Sequence, residues 1–263
     1  MRRSLMTLLP VLVATTACRK APPEAPTELS ELAGFLFERM WDPADDSADL
    51  ELGVQNLVDW LGQYSDETAE GYTVRDLDES VIQSVNPNRE SGLGPVGGAS
   101  VSGEIDHNVK PIARALVVDE QEEIFDNYKA HERVYYDDAE DFMSKELDRL
   151  TTDNDVETKI AGIITIYTKS RAQFRWVQLE DGSDVFLHRT WITRPATSSP
   201  DILTVNEQLY FGITIPWEGH ALRLGTTWAE AEITGGIIGE DGALQLMVDN
   251  MAKEAEILDE YLD

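Results

Sequence analysis

RAQFRWVQLEDGSDVFLHRTWIT, residues 171–193, decides the fold. Ala172, Phe174 and Trp176 alternate with Arg171, Gln173 and Arg175, the two-residue period of a strand. Residues 180–184, EDGSD, supply a turn, so Gln173–Leu179 and Val185–Thr193 read as the arms of a hairpin. The same period extends outward. Ile160, Ile164 and Ile166 alternate upstream in one predicted strand. Leu209, Phe211, Ile213 and Ile215, then Leu222, Leu224, Thr226 and Trp228, alternate downstream. Such alternation predicts an antiparallel sheet with one buried face and one wet face. A helix over 243–261 closes the chain, with Leu244, Met247, Val248, Met251, Ala255 and Leu258 on its apolar side.

Before residue 159 the period is helical. Leu29, Leu32, Ala33, Leu36, Phe37 and Met40 predict a helix over 28–40, capped by Thr27 and ended ahead of Pro43. Leu50, Val54, Leu57, Val58 and Leu61 predict a second over 48–63, with Asp46 or Ser47 as N-cap. A weaker helix covers 74–85. Residues 86–103 are rich in Asn, Pro, Gly and Ser and read as a long loop. Residues 111–118 then read as a strand, Asp119 as the cap of a short helix through Tyr128, and 138–150 as an amphipathic helix. The fold class is α+β: an N-terminal helical hairpin, then an antiparallel sheet with a long C-terminal helix packed on it.

The chain has 263 residues and a net charge of −29, with 42% hydrophobic residues and six Trp. That much apolar content argues for a packed core rather than disorder. The acidity argues against nucleic acid and anionic lipid surfaces as partners. It suits a solvated shell in a salty medium, or a basic protein partner.

Few motifs carry chemistry. Gly92, Gly94 and Gly97 match the letters of a dinucleotide fingerprint without the strand before and helix after that would aim N–H groups at a phosphate. His131-Glu132 opens like a zinc-protease helix, but Tyr135 stands where the second histidine must lie. His107, His131, His188 and His220 are scattered and read as surface or core residues. Acidic clusters at 42–51 and 153–157 lack calcium-loop spacing, the second reading as an acidic loop. No nucleophile elbow or Ser-x-x-Lys pattern is present. No catalytic residue, metal ligand or cofactor is assigned. A carboxylate pair assembled only by the fold, as in glycoside hydrolysis, stays open as an alternative.

The N-terminus carries the most specific signal. Arg2 and Arg3 precede an apolar run from Leu5 to Val13, the small residues Ala14 to Ala17, and Cys18, the sole cysteine. This resembles a bacterial lipoprotein signal, although the position usually held by Leu is Thr15. The resemblance implies cleavage before Cys18, acylation of its thiol, and, with Arg19 next, placement in the cell envelope on the outer membrane facing the periplasm. Ordinary signal-peptidase cleavage after Ala17 is the competing reading. The expected division is 1–17 signal peptide, 18–27 Pro-rich tether, 28–90 helical segment, 91–110 loop and 111–263 α+β domain. Extended as polyproline, the tether would reach about 25–30 Å.

In order of elements alone, residues 111–263 resemble helix-grip (START-like) proteins. That resemblance implies a curved sheet around the last helix, often with an apolar cavity between. Trp176, Phe211 and Trp228 are the candidate ligand-binding residues. The expected function is a membrane-anchored, non-catalytic binding or structural module, in its specific form holding an apolar small molecule between sheet and helix. A hydrolase using paired carboxylates and an acidic partner-binding scaffold are the alternatives.

Overall fold

The computed structural model describes residues 24–41, 47–87, 89, 96–160, 164–233 and 240–263. Its elements run α1 (Leu29–Arg39), α2 (Ser47–Tyr64), β1 (Tyr72–Leu77), α3 (Glu79–Val85), β2 (Val96–Ile105) and α4 (Val109–Val117). There follow β3 (Tyr128–Tyr135), α5 (Ala139–Ser144), β4 (Arg149–Ile160), β5 (Ile164–Gln178), β6 (Asp184–Ile192) and β7 (Ala196–Ser199). The chain ends with β8 (Leu203–Trp217), β9 (His220–Ile233) and α6 (Glu240–Leu262). The fold is α+β.

Among the described residues, 9 strands form one antiparallel sheet in the order β1-β2-β9-β8-β6-β5-β4-β3, with β7 pairing β5 and β8. The opening hairpin is β5–β6 at its centre, in register from Ser170↔Ile192 to Gln178↔Asp184. The long C-terminal helix lies along β2 and β9. This is a helix-grip-like arrangement.

The expected wet face is corrected: both faces are covered at the sheet's centre. Leu36 and Phe37 of α1 and Leu57 of α2 pack on Leu187, Leu209, Phe211 and Trp228. The opposite face packs Ile112 and Leu116 of α4, Phe142 of α5 and Leu258 of α6 on Phe174, Trp176 and Phe186. Each such buried side chain stabilises by about 1.5–3 kcal/mol. A sheet covered on both faces buries successive residues, and β6 is buried at seven of its nine positions, His188 and Arg189 included.

The α1 side is also fastened by polar bonds. Helices leave their last carbonyls without intrahelical partners. Here Arg189 Nη1 donates to Phe37 O at 2.6 Å and Arg175 Nη1 to Met40 O at 3.0 Å. A cation there also opposes the negative end of the helix dipole. Arg189 Nε donates to Gln173 Oε1 at 2.8 Å, which locks the fork in place.

Several local expectations differ. Residues 111–118 are helical: Pro111 sits in the first turn of α4, where its missing N–H costs nothing, and Ala113, Ala115 and Leu116 are strong helix formers. Val96–Ile105 is strand rather than loop, because Gly98 faces Trp228 across the ladder and a Cβ there would strike the indole and Val74. Glycine in that strand marks close packing. Over 74–85 the chain forms the end of β1 and then α3. The helix over 138–150 stops at Ser144, where Lys145 turns left-handed at φ 67°, and Arg149 opens β4. Asp138 caps α5, accepting from the Glu140 and Asp141 amides. Ile160 and Ile164 face each other on two strands instead of following along one. The acidic stretch at 153–157 lies inside β4, where Asp153 pairs with Arg171 at 2.7 Å and Asp155 with Lys169. After Asp119 there is only a single 3-10 turn, Gln121–Glu123.

Candidate functional site

On the α6 face, alternation brings Phe186 and His188 of β6 beside Thr214, Gly212 and Tyr210 of β8 and Arg223 of β9. Strand β5 adds Phe174, opposite His188, and Trp176, opposite Phe186. The result is a strip with an aromatic end and a polar end. At the aromatic end, Trp176 and Phe186 lie 5.3 Å apart between centroids, and Phe142 of α5 closes over both. Trp176 Nε1 donates to Phe142 O at 3.1 Å, which satisfies its buried N–H. His188 continues the stack, 6.0 Å from Phe174 and 6.1 Å from Phe186.

The polar end is built around Arg223, whose side chain is 2% exposed. Its Nε and Nη2 donate to Glu254 Oε1 at 3.0 and 2.6 Å, and Glu254 comes from α6. Arg223 Nη1 donates to Thr214 Oγ1 at 3.0 Å and Nη2 to Tyr210 Oη at 3.1 Å. Tyr210 in turn donates to Glu254 Oε2 at 2.7 Å. Burial, with the Glu254 charge beside it, pushes the Tyr210 phenol up, so it stays a donor at neutral pH.

Arg223 Nη2 lies 3.4 Å from His188 Nε2. As Arg carries only donors, that contact puts the neutral imidazole's proton on Nδ1. His188 Nδ1 is buried and has no hydrogen-bond partner among the described residues. Burial, then the charges of Arg223 and Arg133, holds His188 well below the usual histidine range. Below pH ~6.5 the unfolded chain takes a proton that folded His188 refuses, so stability falls with falling pH. The limiting slope is about 1.4 kcal/mol per pH unit for one such group. His131, also held low first by burial, adds in the same direction. Replacing His188 by Asn is therefore expected to flatten the stability–pH curve below pH ~6.5, read by urea unfolding at half-unit steps. An unchanged slope would show that His188 protonates freely.

Two glycines make the polar end possible. Gly212 and Gly225 are cross-strand partners. A Cβ on Gly212 would come within 2.7 Å of His188 Nδ1 and 2.9 Å of Arg223 Nη2, and one on Gly225 within 2.7 Å of Tyr210 Oη. Gly212→Ala is expected to lower unfolding free energy by about 1–3 kcal/mol, measured by urea titration, through overpacking.

The strip comes near solvent at Trp176, which is 7% exposed, while Phe142, Phe174 and Phe186 stay buried. A cleft of about 270 Å³ there is lined by Trp176, Lys110, Lys145, Asp184, Pro216 and His220. Lys145 pairs with Asp184 and stands 5.3 Å from the centre of the Trp176 ring. A second depression, about 310 Å³ near Tyr167 and Arg194, lies toward the β3 edge of the sheet, and Lys169 there is taken by Asp155.

Of the candidate ligand residues, only Trp176 reaches this strip. Phe211 and Trp228 are both 0% exposed on the α1 face, where Trp228 packs 5.5 Å from Phe37 and donates to Arg75 O at 3.0 Å. The fold does not bring the three together. Cys18 lies outside the described residues, as do Gly92 and Gly94. His188, Tyr210, Arg223 and Glu254 were not singled out as a site by sequence reasoning. Arg223, flanked by Leu222 and Leu224 in an apolar strand, was the available signal.

Among the described residues no three His, Cys, Asp or Glu side chains gather as a metal set. Glu207 and Glu230 are adjacent cross-strand carboxylates, but Glu207 is bridged to Arg89 at 2.8 Å with side chains 2% and 1% exposed. Burial pushes the Glu207 carboxyl up. That arrangement is a buried ion pair tying Arg89 to β8.

No protein-family model matches the chain, and no curated protein matches it. Solved structures with a similar chain path include a protein from Thermus thermophilus, 12% identical over 63% of this chain and 96% of that one, with a TM-score of 0.42. A START superfamily protein from Mycobacterium smegmatis is 10% identical over 62% and 94%, TM-score 0.43. Human StAR-related lipid transfer protein 5 is 10% identical over 79% and 93%, TM-score 0.41. At these values they carry no argument about ligand or activity, which rest on the chain's own residues.

Proposed function

We propose that this chain is an envelope lipoprotein, held on the outer membrane through a lipidated Cys18, whose domain is a non-catalytic module binding an apolar small molecule on the α6 face. The observation that carries the binding half is the buried aromatic strip of Phe142, Phe174, Phe186 and Trp176, whose last ring, Trp176, forms part of the wall of the 270 Å³ cleft. Aromatic side chains supply large apolar area at fixed geometry. The anchor rests on Arg2, Arg3, the apolar run before Cys18 and the Pro-rich stretch after it. No helix among the described residues is long and apolar enough to cross a membrane. A single acyl chain would bind only marginally, so a stable anchor needs more than one.

Native mass spectrometry of the protein taken from its own membranes tests both halves. The expected spectrum shows acylated Cys18 as the first residue and a retained apolar ligand, and Cys18→Ala is expected to release the protein into the soluble fraction. An unmodified Cys18 would overturn the anchor. Unchanged ligand affinity in Trp176→Ala would overturn the assigned binding strip.

A further inference from the structure

We propose that the ligand of the α6-face strip is an amphipathic carboxylate whose head takes the seat that Glu254 occupies. This rests on the apolar-binding reading above and adds the chemistry of the ligand's head. The seat is made for a carboxylate: one Glu254 oxygen accepts twice from Arg223 and the other accepts from Tyr210. The two partners are unequally held. Arg223 is 2% exposed and enclosed by Thr214, Tyr210 and His188, whereas the Glu254 side chain is 18% exposed and its helix neighbours Lys253 and Glu256 face solvent.

Glu254 can therefore turn toward water, and Arg223 cannot. An exchange that leaves a buried cation unpaired is strongly penalised. An incoming carboxylate restores the charge-assisted bonds that Glu254 gives up. A neutral head of the same size does not. His188, whose ring lies over Gly212, has its buried Nδ1 without a partner among the described residues and offers a further donor that Glu254 does not use. From His188 the strand runs four residues to Asp184 at the cleft, about 13 Å at strand spacing. An alkyl tail of that reach would lie along Phe186 and Trp176 in the place of Phe142, which covers both rings.

The test is the affinity of decanoate and of 1-decanol for the mature chain, by isothermal titration calorimetry at pH 7.5, in wild type, Glu254→Ala and Glu254→Gln. The Gln variant keeps the side chain's shape should the Ala variant fold poorly. Removing the internal competitor is expected to tighten decanoate by about ten-fold or more, while decanol changes by less than about two-fold. Adding Arg223→Met to either variant is expected to abolish the preference for decanoate. If decanoate gains no more than decanol, the carboxylate head is wrong while the apolar module stands. If neither compound binds any variant, the apolar-binding reading itself falls, and this inference with it.

Discussion

Trp228→Ala is expected to lower the unfolding free energy by about 3–5 kcal/mol, the range for deleting a large buried aromatic. The upper half of that range applies here. The ring is 0% exposed, wedged between Phe37 of α1 and the backbone at Gly98. Gly98 has no side chain to move into the void, and two laddered strands cannot close over it. Trp228→Phe keeps much of the packing but strands the Arg75 carbonyl that the indole N–H satisfies, a loss of about 1–3 kcal/mol. Urea unfolding checks both, through a shifted midpoint at unchanged slope. Because this residue lies on the α1 face, affinity for a ligand at the cleft should not change. A cost below about 1 kcal/mol would mean that α1 is not docked there in solution.

Glu254→Ala should cost a similar amount for a different reason. Removing one partner of a buried pair leaves the other charge uncompensated, at about 3–5 kcal/mol. Arg223 would then keep only Tyr210, Thr214 and His188, none of them anionic at neutral pH. Arg223→Met should be milder, since Glu254 is close enough to the surface to regain water. The double variant Arg223→Met with Glu254→Leu should recover most of the loss, because an apolar pair removes both desolvation penalties. Additive losses in the double-mutant cycle would show the two side chains to be uncoupled.

How much of this was legible depended on where period and propensity agreed. The β5–β6 hairpin was, because Phe174, Trp176 and Phe186 alternate around an obvious Asp-Gly turn. So were α1, α2 and the final helix, whose apolar residues recur every three or four positions. Residues 111–118 were not, since a short apolar run fits a buried strand or a buried helix equally. Strand β2 was hidden by the glycines that let Trp228 approach it. The site was less legible still. Phe211 and Trp176 differ in parity once the strands are registered, and register appears only when the hairpins are paired. Glu254 meets Arg223 across 31 residues, a contact no local pattern encodes.

The paired arginines on the α1 side have a mechanical consequence. Arg175 and Arg189 rivet the end of α1 to the two central strands through charged bonds to its carbonyls. On the opposite side α6 is held by Glu254 at the strip and by Asp259, which accepts from the Asp106 amide at 2.7 Å, both carboxylates that water can reach. The sheet is thus bound on one side through buried cations and on the other through carboxylates nearer the surface. Opening to admit a guest is therefore expected to cost less on the α6 side, with the N-terminal helices as its fixed backing.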